Sequence, residues 1–293
     1  MDYKKKKNNK FTFIDLFAGI GGFHLGMTNN KFQCVFASEK DQFARKTYIS
    51  NFKKPGENIL GFDLNEDITK INPRNIPDFN VLCAGFPCQP FSQAGKKLGF
   101  NDTRGTLFFN IAEIIKVKQP DAFFLENVRN LYTHDNGKTF KVIKETLENL
   151  GYSFYHKIIK ASDFNCPQHR ARLYMVGFKD KNIQFNFPQP VKLRKTMSDI
   201  FEAPCSRIVG FTLRVGGRGS PITDRRNWDG YIVDGKEVRL TPETAKKMQG
   251  FPDSFVFPVS KSQAMKQLGN SVAVPVIDSI SKQIMNCLIN NKG

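Results

Sequence analysis

The 293-residue sequence has no CxxC pair: Cys34, Cys83, Cys88, Cys166, Cys205 and Cys287 are scattered along it. Zinc ribbons and dithiol redox motifs need two sulfurs close in sequence, so no metal site is expected. No apolar run reaches the ~18 residues of a membrane helix, and no membrane partner is expected. The stretch "MDYKKKKNNKFTFIDLF" has charge but neither the apolar region nor the cleavage site of a secretory signal. The thiols are therefore read as reduced, and the expected location is the cytoplasm. Acidic residues are also short: 27 Asp+Glu against 44 Lys+Arg leave a net charge of +17. A surplus of that size calls for a polyanion, most economically nucleic acid held through its phosphates. A Lys-rich composition, with "KKKKNNK" as a solvated tail, gives the same sum.

What is present organises into alternation. With 40% hydrophobic residues the chain can build one large or two smaller domains. "KFTFIDLF", "CVFASEKD", "NVLCAGF", "DAFFLENV" and "RLYMVGF" read as strands. Helical patterns fall between them in "FFNIAEIIKVK" and "KTFKVIKETLENLG", the latter with Gly151 as its stop. The alternation predicts an α/β fold with a doubly wound, mostly parallel sheet. From Lys181 to about Arg239 the chain turns rich in Gly, Pro and Arg, and it reads as a separate, irregular, mostly β segment. Helical pattern returns in "TPETAKKMQGF" and in the amphipathic "VPVIDSISKQIMNCLI", expected to pack back on the first domain. The expected division is residues 1–180 plus 265–293 for one domain and 181–264 for a second.

"DLFAGIGGF" (Asp15–Phe23) occupies a strand-to-helix turn, where glycines let backbone N–H groups approach a ligand. Glu39 ends the next strand about 20 residues on, placed to accept from ribose hydroxyls. Asp67 ends a further strand-like piece. The loop is Gly-x-Gly-Gly rather than the full dinucleotide pattern, so NAD, an adenosyl cofactor or a purely structural turn each account for it.

Cys88, in "AGFPCQPFSQAGKKLGF", follows a strand and a Gly-Phe-Pro break instead of sitting within the apolar run as Cys83 does. Ligands meet open α/β sheets at carboxyl strand ends, and a reactive thiol must be accessible there. Glu126 ends the next strand. Arg170 and Arg172 lie two apart, on one face of another. Singly these are a turn, a strand end and a solvated face; together they gather on one predicted edge with the glycine loop.

The blocks "DLFAGIGGF", Glu39, "EDIT", "GFPCQPFS", "GTLFF", "ENV", "QHRARLYMVG", "LTPETAKKMQGFPD" and "QLGNSVAVPV" stand in the order of one family. Across nearly its whole length the chain resembles bacterial DNA cytosine-5 methyltransferases of the type II restriction–modification kind. The resemblance implies a Rossmann-like fold binding S-adenosylmethionine and a smaller, irregular β-rich target-recognition domain. It implies that the Cys88 thiolate adds to C6 of a cytosine flipped out of double-stranded DNA. Glu126 then engages N3 and the exocyclic amine, and C5 takes the methyl group. Arg172 is implied at the cytosine carbonyl oxygen, with Arg170 beside it. Phe17, Gly19, Gly21, Gly22, Glu39, Asp67, Ile68, Pro87, Leu107, Asn270 and Val272 match the cofactor pocket, Glu39 toward the ribose and Asp67 toward the adenine amine. Lys40 departs from relatives that carry an aromatic residue at that place. "SQAGKKLGFNDTRG" matches the loop that closes over DNA, with Ser92, Gln93, Lys96 and Arg104 as contacts.

The variable segment occupies the place of the recognition region, and Arg214, Arg218, Arg225 and Arg226 are its candidate DNA contacts. An arginine there reads guanine or holds a phosphate. The resemblance also implies a monomer in the bacterial cytoplasm, at the nucleoid, paired in function with a restriction endonuclease without a stable complex. Three rivals share parts of the pattern. An RNA cytosine methyltransferase would share cofactor and thiol, but the long basic segment favours DNA. A silent DNA-binding protein would have no use for Cys88, and a nicotinamide dehydrogenase rests on the glycine loop alone.

Overall fold

The computed structural model describes residues 11–53, 64, 67–87 and 107–291. Its centre is a six-stranded sheet of β1 (Thr12–Leu16), β2 (Gln33–Ser38), β3 (Val81–Gly85), β4 (Ala122–Val128), β5 (Tyr155–Lys160) and β6 (Ala171–Phe178). The order is β2-β1-β3-β4-β6-β5. β2, β1, β3 and β4 are parallel, whereas β6 runs antiparallel to both β4 and β5. The interior strands read as near-continuous apolar runs because helices cover both faces, as in other parallel sheets; Val81, Leu82, Cys83 and Ala84 are all fully buried.

Two cores flank the sheet. On one face Phe13, Phe124, Tyr174 and Val176 pack with α1 (Gly22–Asn29) and α8 (Val274–Asn290). On the other, Ile14, Leu16, Phe123, Leu125 and Met175 pack under α3 (Leu107–Lys118) and α4 (Lys138–Asn149). α4 ends at Gly151 (φ 96°), as the sequence predicts. The last helix returns to the first, where Asn30 Nδ2 donates to the Asp278 carbonyl at 2.9 Å. Residues Lys261–Asn290 have the length and apolarity of a membrane span. They form two helices, α7 (Lys261–Asn270) and α8, and Val276, Ile277, Ile280 and Ile284 of α8 are fully buried in the core.

Three longer elements outside the irregular segment are absent from the sequence reading. α2 (Gln42–Phe52) is started by Asp41, whose carboxylate accepts from Phe43 N at 2.8 Å and Ala44 N at 2.9 Å. That is an ordinary N-cap. β5 is an edge strand, polar because most of it faces solvent, and α7 is capped by Ser260.

The segment expected to be mostly β carries only one hairpin, β7 (Gly230–Val233) with β8 (Lys236–Arg239), and the five-residue α5 (Met197–Phe201). Its irregular backbone is tied down by side chains instead. Met197, Ile200, Leu213, Trp228 and Tyr231 form a third buried cluster with Met248 of α6 (Pro242–Gln249). Ile20, Ala44 and Val274 from the sheet side belong to the same cluster.

Candidate active site

Parallel strands deliver their carboxyl ends to one edge of a sheet. Here that edge carries the glycine loop after β1, Glu39 after β2, Phe86 and Pro87 after β3, and Glu126 near the end of β4. Antiparallel β6 starts at the same edge, because Val128 pairs with Arg172. A reversed strand is what lets an arginine from its beginning meet a carboxylate from its neighbour's end.

The chain turns sharply after β1, with Phe17 at φ 56°, Gly19 at φ 56° and Gly21 at φ 86°. A Cβ on Gly21 would overlap the Phe52 ring, which is itself stacked on His24 at 4.1 Å. A Cβ on Gly22 would sit 2.6 Å from Val272 Cγ2. Glycine is therefore required for the loop to pass under the Ser271–Val272 turn. Glu39 fixes the loop from the side: Gly19 N–H donates to Oε2 at 2.8 Å and Asp41 N–H to Oε1 at 2.7 Å. Burial raises the Glu39 carboxyl above its ordinary range, while these backbone donors pull it down.

A cavity of about 390 Å³ opens here, lined by Phe17, Gly19, Gly22, Glu39, Pro87, Asn270 and Val272 among the cofactor candidates. Glu126, Arg170 and Arg172 line it too. Gly21 lies behind it, under Phe52. Asp67 caps a one-turn helix through Thr69 N (3.1 Å) and pairs with Lys40 Nζ at 2.7 Å. That lysine is the main reason its carboxyl is held down at about 2. Ile68 is buried in the core with α3, and Leu107 begins that helix. Cys88, Ser92, Gln93, Lys96 and Arg104 lie outside the described residues.

Arg172 Nε sits 3.1 Å from Glu126 Oε1, both side chains largely buried. Burial pushes the Glu126 carboxyl above its ordinary value, while Arg172 and Arg170 oppose the shift. The two arginines, expected side by side on one strand face, are used differently. Arg170 is 3% exposed and donates to the carbonyls of Leu213 (3.2 Å), Gly269 (3.1 Å) and Ser271. It ties the variable segment to the turn beside the glycine loop. Its guanidinium is so enclosed that burial lowers its pKa to about 9.

Sequence reasoning missed the supports. Asn127 Nδ2 donates to Phe86 O at 2.8 Å, bracing the turn that leads to Cys88. Gln249 Nε2 donates to Ser271 O at 2.9 Å, and Gln249 Oε1 accepts from Gln168 Nε2. Gln263 and Lys266 on α7 also wall the cavity. Asn127 inside "ENV", Gln168 at the start of "QHRARLYMVG" and Gln249 within "LTPETAKKMQGFPD" stood in motif blocks; their partners, and the places of Gln263 and Lys266, depend on contacts remote in sequence.

A family model described as C-5 cytosine-specific DNA methylase matches residues 11–214 and 206–286. The chain belongs to that family. It is 44% identical to "Type II methyltransferase M.SsoII" of Shigella sonnei, over 98% of this chain and 83% of that protein. It is 39% identical to "Type II methyltransferase M.HhaI" of Haemophilus parahaemolyticus, over 98% of each. Among solved structures, a DNMT2 mutant from Spodoptera frugiperda superposes with TM-score 0.72 at 20% identity, covering 95% of this chain and 99% of that one. A putative DNA modification methyltransferase from an E. coli prophage gives TM-score 0.72 at 22% identity, covering 95% and 99%. Those two likenesses establish the fold. The family's reaction is methylation of cytosine C5 in DNA with S-adenosylmethionine as donor. The methylase residues fit that donor: the cavity has the size of a small-molecule site, Gly19 and Gly22 of the glycine loop line it, and the Glu39 carboxylate stands at its wall.

Proposed function

We propose that this methylase modifies one cytosine within a short double-stranded DNA sequence, as a type II restriction–modification enzyme. The observation that carries the reading is the Glu126–Arg172 pair at 3.1 Å, facing the same cavity as the glycine loop. S-adenosylmethionine, when bound, supplies an electrophilic methyl group on a sulfonium. Phe17, Gly19, Gly22, Glu39, Pro87, Asn270 and Val272, which line the cavity, would hold it, with Gly21 behind the loop and Asp67, Ile68 and Leu107 outside the lining.

Cytosine C5 is a weak nucleophile. The Cys88 thiolate adds at C6 while Glu126, whose carboxyl burial pushes above its ordinary value, gives N3 a proton. Arg172 takes the carbonyl oxygen and keeps Glu126 turned toward the ring. Once C5 carries the methyl group, water takes the C5 proton, the C5–C6 double bond re-forms, the Cys88 thiolate leaves C6, and N3 returns its proton to Glu126. Arg170 orients this machinery from behind. Flipping the base out costs a few kcal/mol, which phosphate contacts from the basic surface offset; Ser92, Gln93, Lys96, Arg104, Arg214 and Arg225 supply them. The catalytic domain comprises residues 1–180 and 265–293, the recognition domain 181–264. The enzyme is a monomer of the bacterial cytoplasm, paired with a restriction endonuclease in function.

The test is bisulfite sequencing of a plasmid propagated with the wild type or with Cys88→Ala. Protected cytosines in one recurring context are expected with the wild type and none with the variant, whose DNA retention in a gel shift is unchanged. An unmodified plasmid in the presence of folded wild type would move the substrate to RNA, and turnover by Cys88→Ala would remove Cys88 from its role.

A further inference from the structure

Five arginines lie between positions 214 and 239, and what already holds each guanidinium separates them. Arg226 is closed on Asp224, with Nη2 at 2.7 Å and Nε at 3.1 Å from its carboxylate oxygens. Arg239 donates to Ser220 O at 2.8 Å and Asp229 Oδ1 at 3.1 Å, and pairs with Glu237. Both forks are occupied. Arg214 and Arg225 are exposed and make no ion pair or side-chain hydrogen bond among the described residues. Unheld side chains suit phosphate contacts, which need charge but little geometry.

Arg218 is the intermediate case. Its Nε lies 3.6 Å from Asp229 Oδ2, and one Nη2 hydrogen goes to Leu240 O at 3.2 Å. That leaves both hydrogens of Nη1 and one of Nη2, the two-nitrogen edge that guanine O6 and N7 accept. The Asp229 side chain is only 2% exposed, while Arg218 remains 38% exposed. The guanidinium is therefore oriented from behind and open in front. An arginine set this way loses little conformational freedom on engaging a base edge.

The loop around it leaves room for a duplex. A Cβ built on Gly216 or Gly219 meets nothing within 4 Å. The loop is nonetheless fixed: Trp228 Nε1 donates to Gly216 O at 2.8 Å, and Gly219 N to Asp229 Oδ1 at 3.2 Å. It also begins at the cavity wall. Leu213 O accepts from Arg170, and a Cβ on Gly269 would lie 2.5 Å from Arg214 O. Four residue steps separate Arg214 from Arg218, at most ~14 Å of chain at about 3.6 Å each. That is about four base-pair steps of 3.4 Å.

We propose that Arg218 reads a guanine within about four base pairs of the target cytosine, and that Asp229 is its positioning residue. This rests on the DNA-methylating function proposed above. The experiment incubates the full chain, S-adenosylmethionine and a duplex pool randomised around a fixed cytosine, then sequences 5-methylcytosine. Wild type is expected to require guanine at a position inside that span. Arg218→Lys keeps the charge but loses the fork. It should relax that one position and lower kcat/KM on the preferred site about ten- to hundredfold, as a single bidentate contact implies. Its S-adenosylmethionine affinity and melting temperature should match the wild type. Asp229→Asn should relax the same position, and the double variant should be no more permissive than Arg218→Lys alone. Arg225→Ala should instead weaken every sequence alike and reduce the salt slope by about one. An unchanged profile in Arg218→Lys, a loss spread over all positions, or a wild type indifferent to guanine in that span overturns the assignment. A wild type that methylates RNA and leaves the duplexes unmodified overturns the function and this assignment with it.

Discussion

Arg170→Met tests whether Arg170 is a clamp or a participant in the chemistry. The substitution removes the donor from three carbonyls, those of Leu213, Gly269 and Ser271. Ser271 O keeps Gln249 Nε2 at 2.9 Å, so two carbonyls lose their side-chain partner. A buried acceptor left without its donor costs about 1–3 kcal/mol, giving about 2–6 kcal/mol for the pair. Methionine brings no charge into the site, so the desolvation of a buried guanidinium is recovered and the net falls to about 3 kcal/mol. At about 2.1 cal/mol/K of unfolding entropy per residue, a chain of 293 residues turns that into a drop in Tm of about 5 °C, read by calorimetry. The carbonyls of Gly269 and Ser271 flank Asn270 and precede Val272, so KM for S-adenosylmethionine should rise along with the thermal loss. A Tm within about 2 °C of wild type, an unchanged KM and a collapsed kcat would refute the clamp and place Arg170 at the reacting base.

Gly22→Ala puts a methyl group 2.6 Å from Val272 Cγ2 and 3.0 Å from Ser271 Oγ. The overpacking costs about 1–3 kcal/mol; KM for S-adenosylmethionine should rise about five- to hundredfold with DNA affinity unchanged, and an unaltered KM would mean that the turn yields freely. For Glu126→Gln, the proposed acid loses its proton, and kcat should fall about 10²- to 10⁴-fold. Wild-type kcat/KM should decline as pH rises through the raised Glu126 pKa, and that limb should vanish in the variant. The stability sign follows from the same direction: the folded form holds this proton more tightly than the unfolded chain. Wild type therefore has an advantage over the variant at pH below the ordinary carboxylate range, lost as pH rises through the raised value. Melting curves across pH for the pair would expose the opposite slope if Arg172 outweighed burial.

The parts legible in the sequence were those whose signal is local. β1, β3 and β4 announce themselves as apolar runs, and the glycine turn and Glu126 follow from where those runs stop. β5 was hidden because an edge strand with most of its side chains in solvent has no apolar alternation to show. α2 and α7 were announced only by single caps, Asp41 and Ser260. The irregular segment was misjudged in content: glycine and proline mark broken backbone, and here breaks are held by Trp228, Asp229 and Tyr231 instead of a ladder. Arg-x-Arg spacing places two side chains on one face, yet it cannot say that one finds Glu126 while the other finds carbonyls 43, 99 and 101 residues away. Long-range partners set those roles, and spacing carries no record of them.

Trp228 is the chain's single tryptophan, 1% exposed, with its indole nitrogen bound to Gly216 O. Its emission therefore comes from one place, directly beneath the glycine-rich loop. Indole fluorescence shifts with local polarity and hydrogen bonding, so any movement of Gly216–Gly219 is recorded by light from the unlabelled enzyme. Stopped-flow traces at that wavelength would time the settling of the loop separately from the appearance of methylated product.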